Sequence, residues 1–458
     1  MGLQEDLTAA LDAERVTTGA DERHRHGTDE GWHETAEPDL VVYPRSTEEA
    51  AAVVRICAAH GTPIVPFGAG TSLEGHVAAL AGGVSVDMTQ MNAITRLSIE
   101  DMDVTVQAGV TRRQLDERLR PEGVFFSVDP GADATIGGMV ATGASGTTSV
   151  RYGTMRENVL SLIVVTAEGE IVRTRSRARK SSAGYDLTRL FVGSEGTLGL
   201  ICEATLRLQP TPEAMTAAAA AFDTLEAAVD TVIEVLAHAI PVARIELLDD
   251  VQIDAVNRHF DLQLEVAPTL FLEFHGSPEE TKAQAEEVGE IAGGHGVHGF
   301  HWAADEAGRR AMWRARHGAY EAARALRPGA RGFTTDACVP ISALAGVIAE
   351  TKADLDASGL VGPILGHVGD GNFHLSILVD PDDPDELERA KTLNDRLVRR
   401  AIAAEGTCTG EHGIGYGKSA FLELEHGPHV VAMMRAIKSA LDPKGLFNPG
   451  KVASRIQE

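Results

Sequence analysis

Aromatic side chains are scarce in this sequence, at 5% of 458 residues, and basic residues are outnumbered. Lys plus Arg total 41 against 67 Asp plus Glu, a formal net charge of −26. Nucleic acid and anionic membrane surfaces repel such a chain, so neither is expected as its main partner. Cysteine is sparse: Cys57, Cys202, Cys338 and Cys408 stand far apart, with no C-x-x-C pair. That spacing argues against a disulfide scaffold or zinc ribbon and for a reducing compartment. No run approaches the ~20 apolar residues of a membrane span, and the alanine-rich stretch from Ala217 to Phe222 is far too short. The opening MGLQEDLTAALDAERVTTG has no apolar core and carries acids early, unlike a secretory or transit signal. A soluble, cytoplasmic protein is the expectation.

Glycine, by contrast, is plentiful at 47 residues, within an ordinary globular composition of 43% hydrophobic and 24% charged side chains. At ~150 residues per domain the length allows two or three domains. Residues 40–210 alternate strands and helices. LVVYP, TPIVPFG, GVSVDMT, DVTVQAG, LSLIVVTAEGEIV and LICEATLRLQP read as strands, and Ser46 with Glu49 in capping-box spacing opens a helix closed by Gly61. Loops rich in Gly, Ser and Thr separate them and read as binding loops rather than linkers, because core strands bound each one. After Pro210-Thr211-Pro212 the composition shifts. Amphipathic helices and strands such as PVARIELLD and TLFLEFHG then predict an α+β sheet with helices on one side. No fixed-period repeat is visible.

The loop Pro66-Phe67-Gly68-Ala69-Gly70-Thr71-Ser72-Leu73-Glu74-Gly75 follows a strand and offers a nest of backbone N–H groups for phosphate. It is not a Walker loop, because His76 stands where Lys is needed, nor a Rossmann fingerprint, because position 73 is Leu. Further glycine-rich loops lie at 128–153 and 192–199. In the second half, His367 and His374 bracket a turn of Gly, Asp and Asn between two strands, and Glu411-His412 sits in another glycine-rich loop. Imidazole and carboxylate groups with open positions suit a catalytic Zn²⁺ or Mn²⁺. Read on their own, these histidines could equally be satisfied core or surface groups. His24, His26, His33, His60, His295 and His298 lie among polar residues and read as solvated.

The succession P-x-G-x-G-T-S (66–72), P-G-A-x-x-T-I-G-G (130–138), R-Y-G (151–153) and G-S-E-G-T-L-G (193–199) resembles the vanillyl-alcohol-oxidase/PCMH-type FAD family. G-H-V-G-D-G-N-F-H (366–374), C-T-G-E-H-G-I-G (408–415) and D-P-K-G-L-F-N-P-G-K (442–451) are similar to its D-2-hydroxyacid dehydrogenases, the cytochrome-linked D-lactate branch above all. The likeness spans roughly 36–453. It implies an α+β chain with an N-terminal helical extension (1–35), a PCMH-type FAD-binding domain (36–212) and an antiparallel-sheet cap, or substrate, domain carrying the metal loop (213–400). A C-terminal helical segment (401–458) would return to complete the flavin and metal site.

The resemblance also implies roles. Pro66, Phe67, Gly68, Ala69, Gly70, Thr71, Ser72 and Gly75 would cradle the FAD pyrophosphate. Pro130, Gly131, Thr135, Gly137, Gly138, Gly143, Tyr152 and Gly153 would line the flavin and ribityl chain. Glu195, Gly199 and Ile201 would contact the adenosine side, and Asn448 would reach the isoalloxazine. His76 does not match the covalent-attachment pattern, so the FAD is expected to be non-covalent. His367, His374 and Glu411 would hold the metal, with His412 as general base, Asn372 as a substrate-side hydrogen-bond donor and Arg316 as the partner of the substrate carboxylate. Asp336 and Asp370 both qualify to orient the histidines, and the sequence does not choose between them. Thr334 stands where the hydroxyglutarate branch carries Lys, which favours D-lactate or another monocarboxylate. Electrons would pass to cytochrome c or a quinone-linked protein, and a homodimer is compatible. The rival readings are a glycolate dehydrogenase or oxidase subunit of the same fold and a non-redox alkyl-transferring flavoenzyme.

Overall fold

The structure is a computed structural model, and it describes residues 2–453. The chain divides into two compact units. The first comprises the chain up to Ser145, then Gly153–Thr211, then the chain from Glu411; the second comprises Gly146–Tyr152 and Pro212–Gly410.

The first unit holds two principal sheets. In one, the strands Leu40–Val42, Val84–Asp87 and Ile64–Phe67 run parallel, with Val16–Thr17 antiparallel at the edge. The helix Thr47–His60 connects two of them. Ser46 caps it by accepting the Glu49 N–H, and Gly61 ends it with φ +63°, where an L side chain would be strained. Backbone bonds from Ile64 to Leu446 and from Asn448 to Ile64 add residues 446–448 beside the strand Ile64–Phe67. The other sheet is antiparallel, in the order Ile94–Ser98, Asp103–Gln107, Leu200–Arg207, Val159–Val165, Ile171–Arg173. Residues 1–35, expected as an N-terminal helical extension, carry the helices Leu3–Leu11 and Ala20–His26, and Leu7 and Leu11 are fully buried in the same core as the helix Thr47–His60.

The second unit is one antiparallel sheet. Its strands follow the order Val297–Ala303, Ala214–Phe222, Thr269–Gly276, Val242–Leu248, Ile364–Gly366, Asn372–Val379, Arg331–Thr334, and Ala337–Cys338 also pairs with Asn372–Val379. The helices Leu225–Ala237, Asp250–Phe260, Pro278–Gly294, Glu306–His317 and Ile341–Ser358 belong to it. The alanine-rich run is a strand. Alanine prefers helix when isolated, but here Ala214–Ala221 completes ladders on both sides, and its small side chains let the helix Pro278–Gly294 pack close. Among the described residues no helix is long and apolar enough to cross a membrane.

Candidate active site

In the first unit the loop after the strand Ile64–Phe67 forms a narrow cradle. A Cβ at Gly68 would stand 2.3 Å from Thr135 Oγ1, so the 66–75 and 130–138 loops approach at a distance only glycine permits. Gly70 and Gly75 adopt φ +73° and +74°. Asp29 fixes the loop, accepting the Gly75 N–H at 2.8 Å and the Ser72 hydroxyl at 3.3 Å. Among the described residues, the N–H groups of Ala69, Gly70, Thr71 and Ser72 have no protein acceptor. A run of unengaged donors in a glycine-lined hollow suits a pyrophosphate. Thr135 caps the helix Ile136–Thr142, accepting the Gly138 N–H, and Gly143 closes that helix with φ +68°. Gly137 packs against Ala108, while Gly131 is open on its Cβ side.

Other residues expected at the cofactor make side-chain contacts within the protein. Glu195 uses both carboxylate oxygens internally: Oε1 accepts the Ile414 N–H and Oε2 the Gly415 N–H, each at 2.7 Å. Its Oε2 also stands 3.0 Å from His76 Nε2. The carboxylate therefore anchors the loop after Glu411. Asn448 is likewise occupied at both ends of its amide. Nδ2 donates to the carbonyls of His76 and Glu195, and Oδ1 accepts from Lys451 Nζ at 2.6 Å. Ile201 lies in the hydrophobic core, and a Cβ at Gly199 would meet Val164 at 2.9 Å. Tyr152 belongs to the second unit, where its hydroxyl lies 2.8 Å from His275 Nδ1 and His275 Nε2 lies 2.8 Å from Glu273.

Buried charge pervades the first unit. Burial disfavours the charged form of His76, but the charge and hydrogen bond of Glu195 outweigh it and raise the imidazole above its usual range. Burial likewise works to raise Glu195, yet His76 and two backbone N–H groups hold it below the ordinary carboxylate range. Glu74 follows the same pattern, with burial opposed by Lys418 at 3.2 Å and by His33. Burial pushes the Lys451 ammonium down to about 7. Two histidines expected to be solvated are buried instead. His26 Nε2 bonds Asp87 at 2.9 Å, and His33 faces Glu74 at 3.5 Å. In the same unit the Glu411 carboxylate accepts from the Ser145 hydroxyl, and His412 Nε2 lies 3.9 Å from Glu411.

In the second unit His367 and His374 come together, their ring centroids 5.6 Å apart and nearly perpendicular. His367 follows the strand Ile364–Gly366, and a 3₁₀ turn ending in Gly371 (φ +76°) leads back into the strand carrying His374. His367 Nδ1 faces Glu246 Oε1 at 2.8 Å, and His374 Nδ1 faces the Thr335 carbonyl at 3.1 Å. Both partners can only accept, so in each neutral ring Nδ1 carries the hydrogen and Nε2 the lone pair. That is the tautomer a metal-ligating histidine adopts, and the pair fits a divalent cation. Of the two aspartates, Asp336 is fully buried with Oδ1 3.6 Å from His374 Nδ1, whereas Asp370 is exposed. Asp336 also accepts from Thr409 and Gly410.

Asn372 is held from two sides. Its Nδ2 donates to Asp336 Oδ1 at 2.7 Å and to the Ala337 carbonyl at 2.9 Å, so both of its hydrogens are engaged within the protein. Both neighbours are acceptors, which fixes the amide's orientation and turns its oxygen the other way. Arg316, in the last turn of the helix Glu306–His317, donates from Nε to Glu246 Oε2 at 2.7 Å. Glu246 escaped the sequence reading. The available signal was an acid within the apolar strand V-A-R-I-E-L-L, a placement that demands a partner.

Comparison with known proteins adds family evidence. Residues 38–175 match the FAD binding domain, and residues 211–452 match the C-terminal domain of FAD linked oxidases. The chain is 53% identical to a probable mitochondrial D-lactate dehydrogenase of Danio rerio, over 97% of this chain and 90% of that one. It is 46% identical to a mitochondrial D-lactate dehydrogenase (cytochrome) of Arabidopsis thaliana, over 96% of this chain and 78% of that one. The fold matches p-cresol methylhydroxylase with bound substrate at TM-score 0.81 and 19% identity, over 99% of this chain and 96% of that one. Both relatives are named mitochondrial, which overturns the cytoplasmic expectation. The expectation rested on the opening residues and on cysteine spacing, and a folded domain looks the same in either aqueous compartment.

Proposed function

Because this chain belongs to the FAD-linked oxidases, we propose that it oxidises a D-2-hydroxy acid, D-lactate or a similar monocarboxylate, to the 2-oxo acid and passes the electrons to cytochrome c or another acceptor. The observation that carries this reading is the near full-length likeness to D-lactate dehydrogenases. When bound, FAD supplies a two-electron acceptor, and a divalent cation, Zn²⁺ or Mn²⁺, supplies Lewis acidity that lowers the pKa of a substrate hydroxyl. His367 and His374 would be two of the cation's ligands and Glu411 a third. The tautomers set by Glu246 and Thr335 support the histidine part of this assignment.

Arg316 would bind the substrate carboxylate through its terminal nitrogens, since Nε is already held. His412 would take the hydroxyl proton while C2 loses hydride, so that one proton and one hydride leave together and a C=O bond forms. Such general-base help typically contributes ~10²–10⁴-fold. Thr334 in place of a second cation favours a substrate with one carboxylate.

The test is anaerobic stopped-flow of the purified flavoprotein with D-lactate, L-lactate and D-2-hydroxyglutarate, with and without chelator. Bleaching by D-lactate alone, abolished by chelator and restored by Mn²⁺ or Zn²⁺, is expected. No bleaching by any hydroxy acid in metal-replete protein would leave an FAD protein but discard the dehydrogenase reading.

A further inference from the structure

We propose that Glu246 is a positioning residue through which one carboxylate sets both the substrate-binding arginine and a metal-binding histidine. The inference rests on the function proposed above and adds to it a group absent from the expected site.

Glu246 is 1% exposed, in the middle of the strand Val242–Leu248. A lone carboxylate there would be strongly unfavourable, so its two partners account for its presence. Oε1 accepts from His367 Nδ1 at 2.8 Å and Oε2 accepts from Arg316 Nε at 2.7 Å. The sheet register accounts for the contact with His367. Leu247 pairs with Gly366 in an antiparallel ladder, which sets Glu246 opposite His367.

The choice of atoms separates positioning from a plain structural ion pair. An arginine that only neutralises a buried carboxylate commonly presents two parallel N–H donors. Here Arg316 gives only Nε, and among the described residues its terminal nitrogens make no hydrogen bond to protein. The Nη edge is therefore the one left to meet a planar carboxylate. His367 is likewise held by Nδ1, which leaves the lone pair on Nε2. In both cases Glu246 grips the inner atom and orients the outer one. Substrate recognition and metal binding are then coupled through a single side chain.

Glu246→Gln tests this, since a glutamine has one acceptor oxygen and must set an N–H against one of the two donors. Three readouts are needed on the holoenzyme: FAD content, Mn²⁺ affinity without substrate, and the kcat and KM for D-lactate. FAD content should stay at the wild-type level, while Mn²⁺ affinity falls ~10–100-fold and KM rises together with it. A variant indistinguishable from wild type, or one losing only one of the two properties, overturns the coupling. If the variant does not fold, the wild type still decides. Long-range ¹H–¹⁵N spectra of metal-free protein labelled at histidine nitrogens, with His367 identified by its absence in His367→Asn, should show an Nδ1–H tautomer, and an Nε2–H tautomer overturns the proposal. Failure of the wild type itself to bind Mn²⁺ and be reduced by D-lactate would instead count against the function.

Discussion

Glu195 Oε2 lies 3.0 Å from Nε2 of His76, and both side chains are buried. Glu195 reaches this position with φ +53°, a left-handed backbone that costs a non-glycine residue of order 1–3 kcal/mol. The compensation is local: the same carboxylate accepts the Ile414 and Gly415 N–H groups and so ties down the loop that carries Glu411 and His412. Glu195→Gln leaves an unmatched imidazole and should lower the unfolding free energy by about 3–5 kcal/mol, read from urea denaturation at neutral pH.

The pH dependence of that difference follows from the two shifts. His76 is raised above 6.5 in the folded state, so its contribution is complete below pH 6.5 and is lost as pH rises through the raised value. Glu195 is lowered below 4.5, so its contribution is complete above pH 4.5 and is lost as pH falls through the lowered value. The gap between wild type and Glu195→Gln should be widest from pH 4.5 to 6.5 and shrink on the alkaline side. A gap that grows above neutrality would contradict the ion pair.

Gly68→Ala should release FAD without unfolding the second unit. The new Cβ would fall 2.3 Å from Thr135 Oγ1, forcing apart the two loops of the cradle. The flavin-to-protein absorbance ratio after gel filtration measures the loss, and full retention would show that the cradle is not where the cofactor is held.

His412→Asn should bind FAD at the wild-type level yet slow its reduction by D-lactate by ~10²–10⁴-fold, the usual scale of general-base help. Anaerobic stopped-flow separates this from a binding defect, because the loss should persist at saturating substrate. Unchanged reduction would remove His412 from the chemistry.

Arg316→Lys keeps the charge but not the fork. A hydrogen bond to a charged group is worth about 1.5–3 kcal/mol, so kcat/KM for D-lactate should fall by ~10–150-fold, mainly through KM. A fall confined to kcat would argue that Arg316 does not hold the substrate carboxylate.

Much of this molecule is readable from local pattern. PVARIELLD and TLFLEFHG fold as strands at Val242–Leu248 and Thr269–Gly276, and Ser46 caps the helix it was expected to cap. The glycine loops were legible because few residues other than glycine tolerate such approach, as at Gly68. What escaped depends on groups remote in sequence. His26 is buried because Asp87 lies 61 positions on, and Glu246 is useful because His367 lies 121 positions on. Glu195 and Asn448 sit in motifs that signalled a ligand, and their side-chain polar atoms also bond within the protein itself. A motif marks a position under constraint without revealing which contact imposes it.

The interleaving of the two units sets a timetable for biosynthesis. The chain passes from one unit to the other after residues 145, 152, 211 and 410, so the first unit cannot close until the whole second unit has been synthesised. The strand Ile64–Phe67 waits for its neighbour at Phe447 some 380 residues later, roughly 20–75 s at ~5–20 residues per second. Throughout that interval the nascent first unit presents an unpaired sheet edge, which makes it a client for chaperones and a hazard when translation stalls.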